Sequence, residues 1–232
     1  MFLSRLEVDV TSRAFRRDYA DVHDMHRTVL SAFPALPPEL QAREEHGVLW
    51  RLDNAGRGYV LYVQSRTHPD WAVLPDGYLR ARAQVRCLQP VSDAICAGRS
   101  FAFRLVASPT RSIHPDGGVP GHRGRGKRVP VRTPERQLDW LAAQGERHGF
   151  RIPGTSHGPD VAPTPSPQLV GRKKAADGGD GRRKITISPV RFDGHLDVVD
   201  PEAFTAALHN GIGRAKAYGC GLLTLAPTRA TA

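Results

Sequence analysis

His23 and His26 stand three residues apart in VHDMHR, with Arg27 directly after the second. Imidazoles exchange protons near neutrality, and a guanidinium beside them steadies anionic charge, so the trio suits acid–base work on an anion. On a helical wheel with Val22 at zero, Val29 and Phe33 fall within about 20° and Met25 at about −60°. His26 lies near 40°, His23 near 100° and Arg27 near 140°, which puts His26 at the shoulder of an apolar face. A histidine there is either a proton carrier or a packed core residue. A metal is not expected, because histidines three apart need a third ligand and no other His or carboxylate obviously supplies it.

A second group is GIGRAKAYGCG, with Gly211, Gly213, Gly219 and Gly221 around Arg214 and Lys216. It is no dinucleotide fingerprint: Lys216 stands where the third glycine belongs, and the segment follows a helix and leads into a strand. What remains is a backbone able to approach another backbone closely, or a helix cap with a tight turn. Two long polar stretches carry further cations. Residues 111–132 hold Arg111, Arg123, Arg125, Lys127, Arg128 and Arg132 with Asp116 as their single acid. Residues 153–183 hold Arg172, Lys173, Lys174, Arg182 and Arg183 among Pro, Gly, Ser and Asp. Both read as long loops, either phosphate-tracking arms or solvated surface.

Charge favours the phosphate reading. Thirty-three Lys+Arg oppose 23 Asp+Glu, giving +10 over 232 residues. Neutralising phosphates with such an excess releases counterions and makes binding salt-sensitive. No stretch approaches the roughly 18 apolar residues of a membrane span. The opening MFLSRLEVDV carries charges where a signal peptide needs an apolar core, so a soluble cytoplasmic protein is expected. Cys87, Cys96 and Cys220 lack metal-ligand spacing and read as small buried residues.

The elements that must position these groups read as α+β. MFLSRLEVDV alternates Phe2, Ser4, Leu6 and Val8 against Leu3, Arg5, Glu7 and Asp9, a half-buried strand. Asp21 precedes a helix over 22–33, stopped at Pro34. A hairpin follows (47–53 and 58–65), then at most a short helical turn between His68 and Tyr78, then a strand within 81–90. The second half repeats the plan: a strand at 100–109, a helix at 133–149 and two strands in 184–200 around Phe192-Asp193-Gly194. A helix at 201–213 and a strand at 220–227 complete it. Two tandem ferredoxin-like βαββαβ domains are expected, over 1–92 and 99–232.

The segments MFLSRLEVD, RRDYADVHDMHRTVLSAFP, FRLVASPT, GKRVPV, WLAAQGERHGFRI and GIGRAKAYGCGLLTLAP occur in that order over nearly the whole chain. Together they resemble the CasE family, the CRISPR repeat-RNA endoribonucleases of type I-E systems within the RAMP superfamily. The resemblance implies tandem ferredoxin-like domains and cleavage at the base of a repeat-RNA hairpin without metal or other cofactor. It also implies that the product stays bound among the other subunits of the Cascade surveillance complex.

His26 falls on that family's catalytic histidine, and His23 stands where some relatives carry a tyrosine. The implied chemistry is attack by the RNA 2′-hydroxyl, leaving a 2′,3′-cyclic phosphate and a 5′-hydroxyl. His26 acts as general base or alternatively as acid, Arg27 steadies negative charge and His23 assists. Arg123, Arg125, Lys127, Arg128 and Arg132 would hold the hairpin, with Arg172, Lys173 and Lys174, and with Gly211, Gly213, Arg214 and Lys216 of the glycine loop. The rival is a non-catalytic RAMP subunit that only grips RNA. A single-strand RRM reading fares less well, because Tyr59 and Tyr62 lie on opposite faces of their strand and leave no stacking pair there. No helix-turn-helix pattern suggests a DNA-binding regulator.

Overall fold

A computed structural model describes residues 1–56, 58–113, 127–174 and 182–228. In the first half, strands β1 (Phe2–Val8), β2 (Leu49–Asn54), β3 (Tyr59–Ser65) and β4 (Gln84–Cys87) form one antiparallel sheet in the order β2-β3-β1-β4. The alternation read in the opening segment holds, since Ser4, Leu6 and Val8 are all buried. Against that face pack α1 (Arg13–Ala20) and α2 (Val22–Leu30), through Phe15, Val22, Met25 and Val29. The second crossover has only a 3-10 turn at Trp71–Val73. Helix α1 has no counterpart in the sequence reading: RAFRRDYA buries only Phe15 and Asp18, too few positions to show a period. Asp18 is held there by the Tyr78 hydroxyl at 2.9 Å and by Arg17.

In the second half β5 (Ser100–Ala107) is followed by β6 (Thr110–Ile113), β7 (Lys127–Pro130) and α3 (Pro134–Arg147). Then come β8 (Val161–Pro165), β9 (Leu169–Lys174), β10 (Arg182–Ile187), β11 (Val190–Val198), α4 (Pro201–Asn210) and β12 (Leu223–Pro227). The main sheet runs β8-β11-β5-β12, with the short strand Phe150–Arg151 also on β11. Both sheets thus show the strand order of the ferredoxin-like plan. Phe101, Phe103, Leu105, Phe192 and Leu196 meet Leu141 of α3 and Phe204, Ala207 and Leu208 of α4 in the second core.

Several expectations need correction. The turn expected at Phe192-Asp193-Gly194 does not exist: β11 runs straight through it, paired with β5 from Val190 to Asp197, and the chain turns at Ser188–Pro189 instead. Asp193 is in the strand because Arg104 of β5 donates to it at 2.5 Å. Gly194 is there because a Cβ would sit 2.2 Å from the Asp160 carbonyl oxygen. The described residues of the 153–183 stretch are largely β rather than loop, with Pro163 and Pro165 tolerated because β8 is an edge strand. Residues 111–132 likewise begin and end in a paired ribbon, β6 with β7. Cys220 is buried as expected, but Cys87 and Cys96 are exposed.

Side chains of the first sheet join the halves, among them Asp53, whose carboxylate accepts from Arg104 at 3.2 Å. The Arg51 guanidinium, 3% exposed, grips Asp53 with two hydrogen bonds (2.7 and 3.0 Å). It also donates across the seam to the Arg104 and Leu222 carbonyls and to Thr224 Oγ1, at 3.2, 3.3 and 3.0 Å. Gln64 donates to the Leu208 carbonyl at 2.7 Å, and the Trp50 indole N–H to the Ala217 carbonyl at 3.2 Å. Replacing Arg51 by Met keeps the apolar stem but removes two hydrogen bonds to Asp53 and the buried donor to three acceptors across the seam. Arg51→Met is expected to cost about 3 kcal/mol in urea unfolding. An unchanged midpoint would show that the seam does not depend on this cation.

Candidate active site

Helix α2 starts on Asp21, whose carboxylate accepts from the His23 backbone N–H at 2.9 Å, and its buried stripe is Val22, Met25 and Val29. That stripe fixes the other residues by rotation. His23 and His26 come out half-buried, on the side of the helix that faces the second half of the chain. Two segments of that half close over them. One is the glycine loop, whose 3-10 turn Lys216–Tyr218 packs on α2. The other is the ribbon β9–β10. Gly171 of β9 lies so close that a Cβ would be 2.9 Å from Val22 Cγ1, and the Arg172 backbone N–H reaches Asp21 at 3.3 Å. Leu169, Ile185 and Ile187 of the ribbon, with Val106, Ala215, Tyr218 and Cys220, form a small third core beneath this contact.

The glycine loop is held with little slack. Gly219 has φ +77°, and a Cβ there would be 2.8 Å from the Trp50 ring, so this position demands glycine on both counts. The Tyr218 ring centroid ends 6.5 Å from that of His23 and 6.3 Å from that of His26. In both histidines Nδ1 is buried with no hydrogen-bond partner among the described residues. Buried polar atoms are nearly always partnered, so two orphans in adjacent rings mark a place where something other than stability sets the arrangement.

Burial, then the nearby His23 and Arg43, lower the His26 pKa to about 4. His26 is therefore a neutral imidazole at pH 7. Burial also lowers Lys216, helped by Arg43 and partly offset by Glu44. Arg43 is thus felt by both His26 and Lys216, and the site is a neutral base in a cationic surround. Chemically, such a pocket accepts a proton from a hydroxyl and steadies a gathering negative charge.

The other residues singled out in the sequence lie as follows. Arg27 is exposed and turned to Asp24 at 3.8 Å, with no contact to either imidazole ring. Arg128 on β7, Arg132 just after it, Arg172 on β9 and Arg214 are exposed. Lys127, Lys173 and Lys174 lie on strands of the two ribbons, whereas Arg123 and Arg125 fall outside the described residues. Gly211 is buried against Leu49, and half-buried Gly213 packs on Trp140. Lys216 lies on the 3-10 turn that packs on α2 and shares Arg43 as an electrostatic neighbour with His26. Sequence reasoning placed Asp21 at the helix start but missed Arg43 and Tyr218. A Tyr between Lys216 and Gly219 was the only visible signal for the last; Arg43 left none.

A helix with two histidines, closed over by a glycine loop, is thus carried on two ferredoxin-like units. A family model described as CRISPR associated protein matches residues 1–227, and the chain belongs to that family. Its relatives make it CasE-like. The CRISPR-associated endoribonuclease Cse3 of Thermus thermophilus is 38% identical over 230 residues, covering 98% of this chain and all of the relative. The Cascade subunit CasE of Escherichia coli is 27% identical over 235 residues, with 98% and 100% covered. The structure of a Cse3 endoribonuclease bound to a 19-nucleotide RNA superposes with a TM-score of 0.77 at 34% identity, over 98% of this chain and 100% of that one. No helix among the described residues is long and apolar enough to cross a membrane.

The lowered His26 value has a sign that can be measured. An unfolded chain takes a proton on this ring near pH 6.5, which the folded chain resists down to about pH 4. The stability this group confers is present above pH 6.5 and is lost as pH falls from there through 4. NMR titration of the RNA-free protein should show the His26 ring titrating well below pH 6. A midpoint near 6.5 would mean that the ring is solvated and the pocket open.

Proposed function

We propose that this protein is a metal-independent endoribonuclease that cuts CRISPR repeat hairpins in precursor RNA and then stays bound to the product as a Cascade subunit in the cytoplasm. The observation that carries this reading is the half-buried, neutral His26 with an unpartnered ring nitrogen, set beside His23 among cations. The names of the relatives, an endoribonuclease and a Cascade subunit, support the same conclusion.

In the proposed reaction the ribose 2′-hydroxyl beside the scissile phosphate gives its proton to His26, through the Nε2 that burial leaves available. The 2′-oxygen bonds to phosphorus as the P–O5′ bond breaks. The departing 5′-oxygen takes a proton, for which His23 is the candidate donor. The products are a 2′,3′-cyclic phosphate and a 5′-hydroxyl, and the RNA supplies its own nucleophile, so the chemistry calls for no metal-bound water. Positive charge for the crowded phosphate comes from Lys216 and Arg43 within the pocket. Arg27, on the exposed face of the same helix, then serves the phosphate next along the strand.

The rest of the hairpin is held outside the pocket by the two ribbons and by exposed Arg214. In β9–β10, Arg172 pairs in register with Lys184, Lys173 with Arg183 and Lys174 with Arg182. Like charges directly opposite each other weaken a ribbon. An arrangement of cation opposite cation at three successive positions makes sense when a polyanion lies along it. In β6–β7 the strand ends carry Arg111, Lys127 and Arg128, and the Arg123 and Arg125 segment lies between them.

In single-turnover assays with EDTA, the natural protein should cut its repeat hairpin and His26→Ala should lose about 1,000-fold in rate with hairpin affinity retained. A 2′-deoxy residue at the cut site should block cleavage and leave binding intact. If the natural protein binds tightly but never cuts, the non-catalytic RAMP reading wins. Changing Arg172, Lys173 and Lys174 together to Gln should weaken hairpin binding. It should also flatten the salt dependence by roughly one unit for each phosphate no longer neutralised. An unchanged slope would remove this ribbon from the RNA interface.

A further inference from the structure

Tyr218 enters the histidine pocket from the opposite end of the chain. Its ring lies edge-on to His26, 6.3 Å between centroids at 67°, and tilted against His23, 6.5 Å at 56°. The turn that carries it is bracketed by two left-handed residues, Ala215 at φ 59° and Gly219 at φ 77°. An alanine rarely adopts that conformation, so tertiary contacts hold it there. Those contacts are plain: the Ala217 carbonyl accepts from Trp50, Gly219 presses on the Trp50 ring, and the Ala215 and Tyr218 side chains pack into the small third core. The ring is therefore fixed on one side by the protein and faces the imidazoles on the other.

Its hydroxyl differs from those of Tyr78, Tyr19 and Tyr59. Tyr78 donates to Asp18, and Tyr19 and Tyr59 bond each other, but the Tyr218 hydroxyl has no protein hydrogen bond among the described residues. Burial and the nearby Asp21 raise its pKa above the usual tyrosine value, so it remains a neutral O–H donor. Three groups with unused hydrogen-bonding capacity thus converge: two imidazoles with orphan Nδ1 atoms and one phenol.

We propose that Tyr218 is a third catalytic residue, whose hydroxyl donates a hydrogen bond to a non-bridging oxygen of the scissile phosphate. The inference rests on the cleavage reading above and adds a residue to it. As the 2′-oxygen attacks and the P–O5′ bond breaks, negative charge gathers on the non-bridging oxygens. A donor already held in place stabilises that charge without reorganising. Tyr218 keeps its proton throughout; His26 takes the 2′ proton, and the acid of the cluster protonates the 5′-oxygen.

The test is Tyr218→Phe, which keeps the ring and its packing. Expected are an unchanged thermal midpoint, a hairpin Kd within about twofold of the natural protein, and a single-turnover rate lower by about 100-fold. Phosphorothioate substitution at the contacted non-bridging oxygen should slow the natural protein and have little effect on the variant, because sulfur is a poor acceptor. A variant that cuts at the natural rate, or keeps the full sulfur effect, overturns the proposal while the cleavage reading stands. A rate loss matched by an equal loss of hairpin affinity makes Tyr218 a binding residue and overturns it too. Failure of the natural protein to cut at all would sink the function reading, and this inference with it.

Discussion

The seam between the two sheets is the constraint on which the molecule depends, and Arg51 is its centre. A guanidinium this deeply buried costs several kcal/mol in lost hydration unless its donors are matched. Here they are matched by partners from both halves: Asp53 from its own strand, and two carbonyls and a hydroxyl from β5, the residues leading into β12, and β12 itself. Asp53 is shared with Arg104, which in turn holds Asp193. The halves are thus joined by a chain of alternating charges that is satisfied in one register only. Trp50, next to Arg51, uses that register to place the glycine loop. A candidate site with histidines on an N-terminal helix and Tyr218 and Lys216 near the C-terminus exists only while this seam is closed.

Within the site, one electrostatic fact does two things. Burial first, and then the neighbouring His23 and Arg43, hold His26 unprotonated. A base is useful only when deprotonated, and the same surroundings that disfavour a proton on this ring would favour a phosphate beside it. An incoming phosphate would change those surroundings and make the imidazole more basic at the moment a proton is to be taken. The orphan Nδ1 atoms fit the same logic, since a pocket whose polar groups were fully satisfied internally would have little left to offer a ribose and a phosphate.

Much of the fold was legible because the first and second halves obey simple periods: Ser4, Leu6 and Val8 alternate, and Val22, Met25 and Val29 recur on a helix. The failures have physical causes. Asp193-Gly194 looks like a turn, yet the aspartate is bound by Arg104 across the sheet and the glycine admits a neighbouring backbone; neither demand is local. The Pro-rich 153–183 stretch looks like loop, yet edge strands accept proline. His26 stood out by its place on the wheel and by the CasE resemblance. Tyr218 did not, because what brings it to the histidines is the packing of one half on the other, which no local pattern encodes, and Arg43 did not, because it reaches them only through the folding of the first half.

The position of the charges separates grip from chemistry. On the proposed reading, exposed cations such as Arg128, Arg172 and Arg214 would contribute long-range attraction that salt screens, whereas Lys216 and Arg43 would act at short range where burial weakens screening. Such a division lets the protein hold a hairpin through many replaceable contacts while the reacting phosphate meets a few fixed ones. It also governs the fate of the cut RNA. Cleavage changes the phosphate at one point only, and the ribbon contacts to the hairpin are the same before and after. A protein whose affinity resides mainly outside its pocket has little reason to release its product, which is what a subunit that remains on its RNA requires.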